Sequence, residues 1–175
     1  MISSAAPPPT SGPNDAAIDH PLLTTAGLFV EAHAGFALQA ARTLEVDCGL
    51  TVQWFEVLIR LVRSPGHRLR MSDLAAQTTL SASGLTRAVD RMEAAGLVAR
   101  QACPEDRRST YATLTDEGEA RILAAVPVHV AQLVEIFGSV FTPDELETYT
   151  ALNRRLRDAV NPCAAQASTP RGLPG

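Results

Sequence analysis

The chain has 175 residues, is 46% hydrophobic and carries a net charge of −4. That supports one domain with a sizeable core and is too short for two full-sized ones. No stretch is expected to approach the roughly 20 apolar residues that cross a bilayer, and the start lacks the basic-then-apolar order of a secretion signal, so the reading is a cytosolic protein without a membrane partner. Cys48, Cys103 and Cys163 are odd in number and widely spaced, which argues against a disulfide framework or a Cys-x-x-Cys zinc site.

All 15 basic residues are arginine, and nine of them lie between Arg60 and Arg108 against five acids. This segment is therefore basic by +4 and the remainder acidic by −8. A basic module in an acidic body would attract phosphate on one face only, which suits site-specific DNA binding better than indiscriminate binding.

In chain order, residues 1–18 open with three consecutive prolines and small polar residues, a composition expected to form a disordered arm. Leu22 to Glu45 follows a helical pattern, with Leu28, Phe29, Ala32, Phe36 and Ala40 recurring at three and four residues. Cys48-Gly49-Leu50 interrupts it, and Thr51 can cap a second helix carrying Trp54, Val57, Leu58 and Leu61 until Ser64-Pro65-Gly66 ends it. Leu69 to Met71 is short but could add an edge strand to a later hairpin.

Ser72 is expected to cap a short helix and Ser81 a second, with the polar Gln77-Thr78-Thr79 between them. In the second helix Leu85, Ala88, Val89 and Met92 share one stripe, which faces the core. Ser81 and Ser83 near its start, and Thr86, Arg87, Asp90 and Arg91 along it, form a polar surface able to read base edges. Arg87 and Arg91, taken singly, fit a solvated charged face as well as base contact.

Gly96 ends this helix. Leu97–Arg100 and Thr110–Leu114 then read as two strands around a charged tip, Cys103-Pro104-Glu105-Asp106-Arg107-Arg108. Arg121 to about Phe137 and Thr142 to Val160 are helical, with Pro143 just inside the second start. Residues 162–175 read as a disordered tail.

Asp106-Arg107-Arg108 followed by Leu114-Thr115-Asp116-Glu117-Gly118 has the pattern D-x-R-x5-L-T-x-x-G. In this pattern behind a helix-turn-helix, and in Leu74-Ala75, Ser81-Ala82-Ser83 and Leu97-Val98, the chain resembles the MarR family of multiple-antibiotic-resistance regulators. The resemblance implies an α+β, mostly α fold of six helices with a small β-hairpin. Residues 19–161 would form a single MarR-like domain, with a winged helix-turn-helix at about 51–115 and dimerisation helices at about 20–46 and 116–161. It implies a homodimer on double-stranded DNA, reading a pseudo-palindromic operator with half-sites about one helical turn apart. Asp106 would hold the wing arginine, Arg108 would enter or border the minor groove and Arg107 would reach phosphate.

Many members of the family are similar in holding small aromatic or anionic effectors between the dimer helices and the winged module. Phe36, Trp54, Phe55 and His129 are the candidates for such a pocket, and plain packing is the competing reading for each, as for Phe29 and His33. Cys103 beside Arg107 and Arg108 admits a redox-controlled alternative. The family's hydroperoxide sensors, however, are similar in placing a reactive cysteine near the start of the first long helix, where this chain has none. The chain offers no nucleophile elbow, phosphate-cradling glycine loop or paired-histidine metal motif, so neither an enzyme nor a cofactor is expected. The sequence thus reads as a ligand-responsive repressor, with a redox-responsive regulator and a winged protein-interaction module as alternatives.

Overall fold

The computed structural model describes residues 15–103 and 109–162. The expected arm up to residue 14, the wing tip at 104–108 and the tail from 163 lie outside them. Two compact units divide the chain after Gln39.

In the first unit, α1 (Asp15–Ile18) is a short helix within the stretch whose composition suggested disorder. α2 (Pro21–Asp47) begins with proline at its first position, where the missing N–H costs nothing. The Leu22 amide donates to Nδ1 of His20 at 3.2 Å. One turn apart on α2, Phe29 and His33 stack with ring centroids 6.4 Å apart.

In the second unit, α2 ends at Asp47, and Gly49 just beyond it turns the chain with a φ of 61°, a left-handed conformation a glycine accepts readily. Thr51 caps α3 (Val52–Val62) by accepting from the Trp54 amide at 3.2 Å, as expected. A 3-10 turn, Pro65–His67, leads into β1 (Arg68–Arg70) and α4 (Met71–Gln77). After these come α5 (Ala82–Ala94), β2 (Val98–Ala102), β3 (Thr110–Leu114), α6 (Asp116–Gly138) and α7 (Pro143–Val160).

The three strands form one antiparallel sheet in the order β1-β3-β2, so the expected edge strand exists, shifted by one residue. Val98 pairs with Leu114 and Ala102 with Thr110.

Four expectations need correction. Ser72 does not cap α4: pairing with Tyr111 holds Arg70 extended, the helix starts directly after it, and Ser72 lies inside the first turn. The helix expected from Arg121 begins at Asp116, because the Thr115 hydroxyl accepts from Gly118 and three acids follow where the helix dipole favours them. The described residues hold seven α-helices instead of six. Finally, α2 and α6 are each long and apolar enough to cross a membrane by length and composition, with mean hydropathies of 1.2 and 1.5 over 18 residues. α6 owes this to apolar residues on more than one face: Ile122 and Ala125 are buried, while Leu123, Val130 and Val134 are exposed.

The core gathers Leu50, Val57, Leu58 and Leu61 around Leu74, Leu85, Val89 and Met92, and the sheet adds Val98, Ala112 and Leu114. It lies beneath α5 and fixes which side of that helix faces outward.

Candidate nucleic-acid interface

α5 starts where Ser81 turns extended and its hydroxyl accepts from the Gly84 amide at 3.1 Å. It stops in a Schellman turn: the Gly96 amide donates to the Glu93 carbonyl at 3.0 Å and the Leu97 amide to the Met92 carbonyl at 2.9 Å, with Gly96 at φ 75°. Between these ends Leu85, Ala88, Val89 and Met92 are buried, as the periodicity requires. Ser81, Ser83, Thr86, Arg87, Asp90 and Arg91 are all exposed, so the six residues expected on the polar face share it.

The face is not uniform. Thr86, Asp90 and Glu93 follow one another at helical spacing along the flank that meets β2, where Arg100 stands. The Arg100 guanidinium lies 2.7 Å from Asp90 and 2.7 Å from Glu93, and donates more weakly to the Thr86 carbonyl at 3.4 Å. Its backbone N–H also donates to Glu93 at 2.9 Å. That amide, and then the guanidinium, hold the Glu93 carboxyl below the ordinary glutamate range. Ser83, Arg87 and Arg91 form the outer stripe of the same helix, and among the described residues neither arginine has an ion pair.

Two further contacts fix the module. Glu56 on α3 accepts from both the amide and the hydroxyl of Thr79 at 2.8 Å, tying down the turn that leads into α5. Thr115 donates to the Gly96 carbonyl at 2.7 Å while accepting from the Gly118 amide at 3.0 Å, so one side chain caps α6 and grips the end of α5. A Cβ on Gly118 would run into the Leu97 carbonyl and come within 2.9 Å of the Leu114 side chain. The threonine and glycine of the L-T-x-x-G pattern therefore have a steric and hydrogen-bonding reason to be there.

On the sheet, Arg68 and Arg70 lie over the Tyr111 ring at 5.0 and 5.9 Å. With Arg70, Ser72, Thr86, Arg100 and Ser109 on its walls, an open polar cleft separates α5 from the strands. Asp106, Arg107 and Arg108 lie outside the described residues.

Of the four pocket candidates, Phe55 and His129 meet edge-on with centroids 4.8 Å apart. Trp54 and Phe55 are half-buried and pack on the core. Phe36, also half-buried, belongs to the first unit. None of the four lines the polar cleft.

Cys103 is only 2% exposed, and the Cys48 thiol is pushed up chiefly by burial and then by Asp47, against Arg121. Cys103 is thus not an exposed thiol, and the surroundings of Cys48 disfavour its thiolate.

Sequence reasoning missed Arg100, Glu93 and Glu56. The spacing of Thr86, Asp90 and Glu93 on one helical flank was a usable signal, but its arginine partner sits on a different element.

A model of the MarR family matches residues 49–109. The chain is 31% identical over 108 residues to the HTH-type transcriptional regulator MhqR of Bacillus subtilis, covering 62% of this chain and 72% of MhqR. Similarity to YkoM of the same organism is 27% over 86 residues and spans only 55% of that protein's length. Among solved structures, the MarR family regulator Sco3205 of Streptomyces coelicolor, crystallised in complex with DNA, superposes with a TM-score of 0.74 at 30% identity, covering 79% of this chain and 90% of Sco3205.

Proposed function

The chain belongs to the MarR family of DNA-binding transcriptional regulators, and from that premise we propose that it acts in the cytoplasm as a ligand-responsive repressor that binds a pseudo-palindromic operator as a homodimer. The observation that carries the reading is α5. Its apolar stripe is sunk in the core while Ser83, Thr86, Arg87 and Arg91 face outward on a helix narrow enough for the major groove. Sco3205 in complex with DNA lends the same use to a matching fold.

In this reading Arg108 enters or borders the minor groove, steadied by Asp106, and Arg107 reaches phosphate. Residues at about 20–46 and 116–161 form the dimer surface, and the single functional domain runs from 19 to 161. Exposed apolar side chains on α6 and α7, among them Val134, Leu152 and Leu156, support this. A small aromatic or anionic effector acts by preferring a subunit spacing that does not fit DNA; equal affinity for both states would shift nothing. The Phe55–His129 contact, with Trp54, is the proposed place for it.

The test is a fluorescence-anisotropy titration against the DNA upstream of the chain's own coding region. Sequence-preferring binding that weakens steeply with salt is expected; its absence would overturn the reading. Arg108→Ala should cost roughly 1 to 3 kcal/mol of operator affinity, and unchanged affinity would remove Arg108 from the interface.

A further inference from the structure

We propose that Arg100 is a positioning residue that fixes the roll of α5 about its axis, and that Asp90, expected above to read a base, belongs to this clamp instead. The inference rests on the reading of α5 as a recognition helix and concerns which of its residues are available to DNA.

A helix packed through small and aliphatic side chains such as Ala88, Val89 and Leu85 can rotate by a few degrees at little cost, since dispersion and burial are non-directional. Base readout tolerates far less, because a bidentate contact fails when its donor moves by about an ångström. Something directional must set the angle. Arg100 is held to β2 by the sheet, with its neighbours Ala99 and Gln101 in register with Thr113 and Tyr111. From that fixed strand its planar guanidinium takes Asp90 at 2.7 Å and Glu93 at 2.7 Å, residues three apart on one flank. The Arg100 amide adds a third anchor on Glu93 at 2.9 Å. Two carboxylates and a strand are thus tied by one side chain.

The geometry also answers an electrostatic difficulty. Asp90 and Glu93 are two negative charges on a helix meant to approach phosphate, and each carboxylate alone would repel the duplex. With Arg100 between them the flank carries one net negative charge instead of two, and the positive charge of the helix is concentrated in the outer stripe of Arg87 and Arg91. A carboxylate engaged at 2.7 Å by a guanidinium is not available to accept from a cytosine amine. These ion pairs are partly exposed and contribute little to global stability, so their effect should appear in DNA binding.

The experiment begins with the full chain selecting an operator from a randomised duplex pool. Anisotropy then measures wild type, Asp90→Asn, Arg100→Lys, Arg100→Ala and the Asp90→Asn/Arg100→Ala double variant on that operator and on single base-pair changes of it. We expect Asp90→Asn to weaken binding by a similar factor, roughly three- to tenfold, on every operator variant. Adding it to Arg100→Ala should weaken binding no further, and Arg100→Lys, which keeps the charge, should restore part of the loss. Should Arg100→Ala fail to fold by circular dichroism, the cycle is run with Arg100→Lys, where the losses of the two substitutions are again expected to fall short of multiplying. Asp90→Asn relaxing discrimination at one base pair alone, or losses that multiply, would overturn the proposal. A wild type that selects no operator would instead overturn the regulator reading, and the clamp's purpose with it.

Discussion

The winged module and the α6–α7 pair distribute their apolar side chains in opposite ways. In the module, Val57, Leu58, Leu61, Leu74, Val89 and Met92 are all completely buried within a single chain. On the long helices, Leu123, Val134, Leu152, Leu156 and Val160 are exposed, and among the described residues α7 buries none. With Ile122 and Ala125 from the start of α6, the module closes its core within one chain. Helices that leave a stripe of leucine and valine in water are half of a structure, and the proposed second copy is the other half. On the proposed function, the contrast separates a reading head from the surface that would set the spacing of two heads.

The comparison breaks most severely at the head's centre. Leu85→Ala should cost about 4 kcal/mol by opening a cavity between α5 and α3, seen as a lower urea midpoint with an unchanged slope; a cost below about 1 kcal/mol would mean that α5 is not anchored as described. On the long helices, Leu152→Glu with Leu156→Glu should leave the head folded but convert a two-chain mass to one chain by light scattering. Operator affinity should then fall roughly a hundredfold, because the two half-sites are no longer engaged together. Retention of a two-chain mass would move the dimer surface elsewhere.

Gly118→Ala tests the joint between the two regions. Its Cβ meets a backbone carbonyl, that of Leu97, which cannot swing aside as a side chain would. The expected cost is about 2 kcal/mol in urea unfolding, and a neutral result would mean that the start of α6 shifts freely.

How much of this was legible beforehand depended on whether the determinant was local. The stripe Leu85, Ala88, Val89, Met92 and the caps at Thr51 and Ser81 are each written within one element, and all were readable from spacing and residue type. The start of α4 was misplaced because a pairing between Arg70 and Tyr111, 41 residues apart, overrides the capping preference of Ser72. Asp90 could be put on the exposed face but not assigned a partner, since Arg100 reaches it only after β2 folds back along α5. The exposure of α6 and α7 was likewise hidden, because an apolar helical pattern looks the same whether its partner is in the same chain or another.

The smallest expected effect tests how a helix without a core holds its end. α7 begins with a capping box: the Thr142 amide donates to Glu145 at 2.8 Å, and the Glu145 amide donates to the Thr142 hydroxyl at 3.4 Å. The Thr142 amide, and then its hydroxyl, hold the Glu145 carboxyl below its ordinary value of 4.5. A depressed carboxylate stabilises the fold fully above the ordinary value and loses that contribution as pH falls through the lower, folded one. Thr142→Ala should therefore lower Tm by about 2 °C at neutral pH, and the gap between variant and wild type should narrow below about pH 4. A gap that stays constant across that range would show that the hydroxyl's bond to the Glu145 carboxylate adds nothing to the cap, since the backbone amide of residue 142 donates to that carboxylate in either variant.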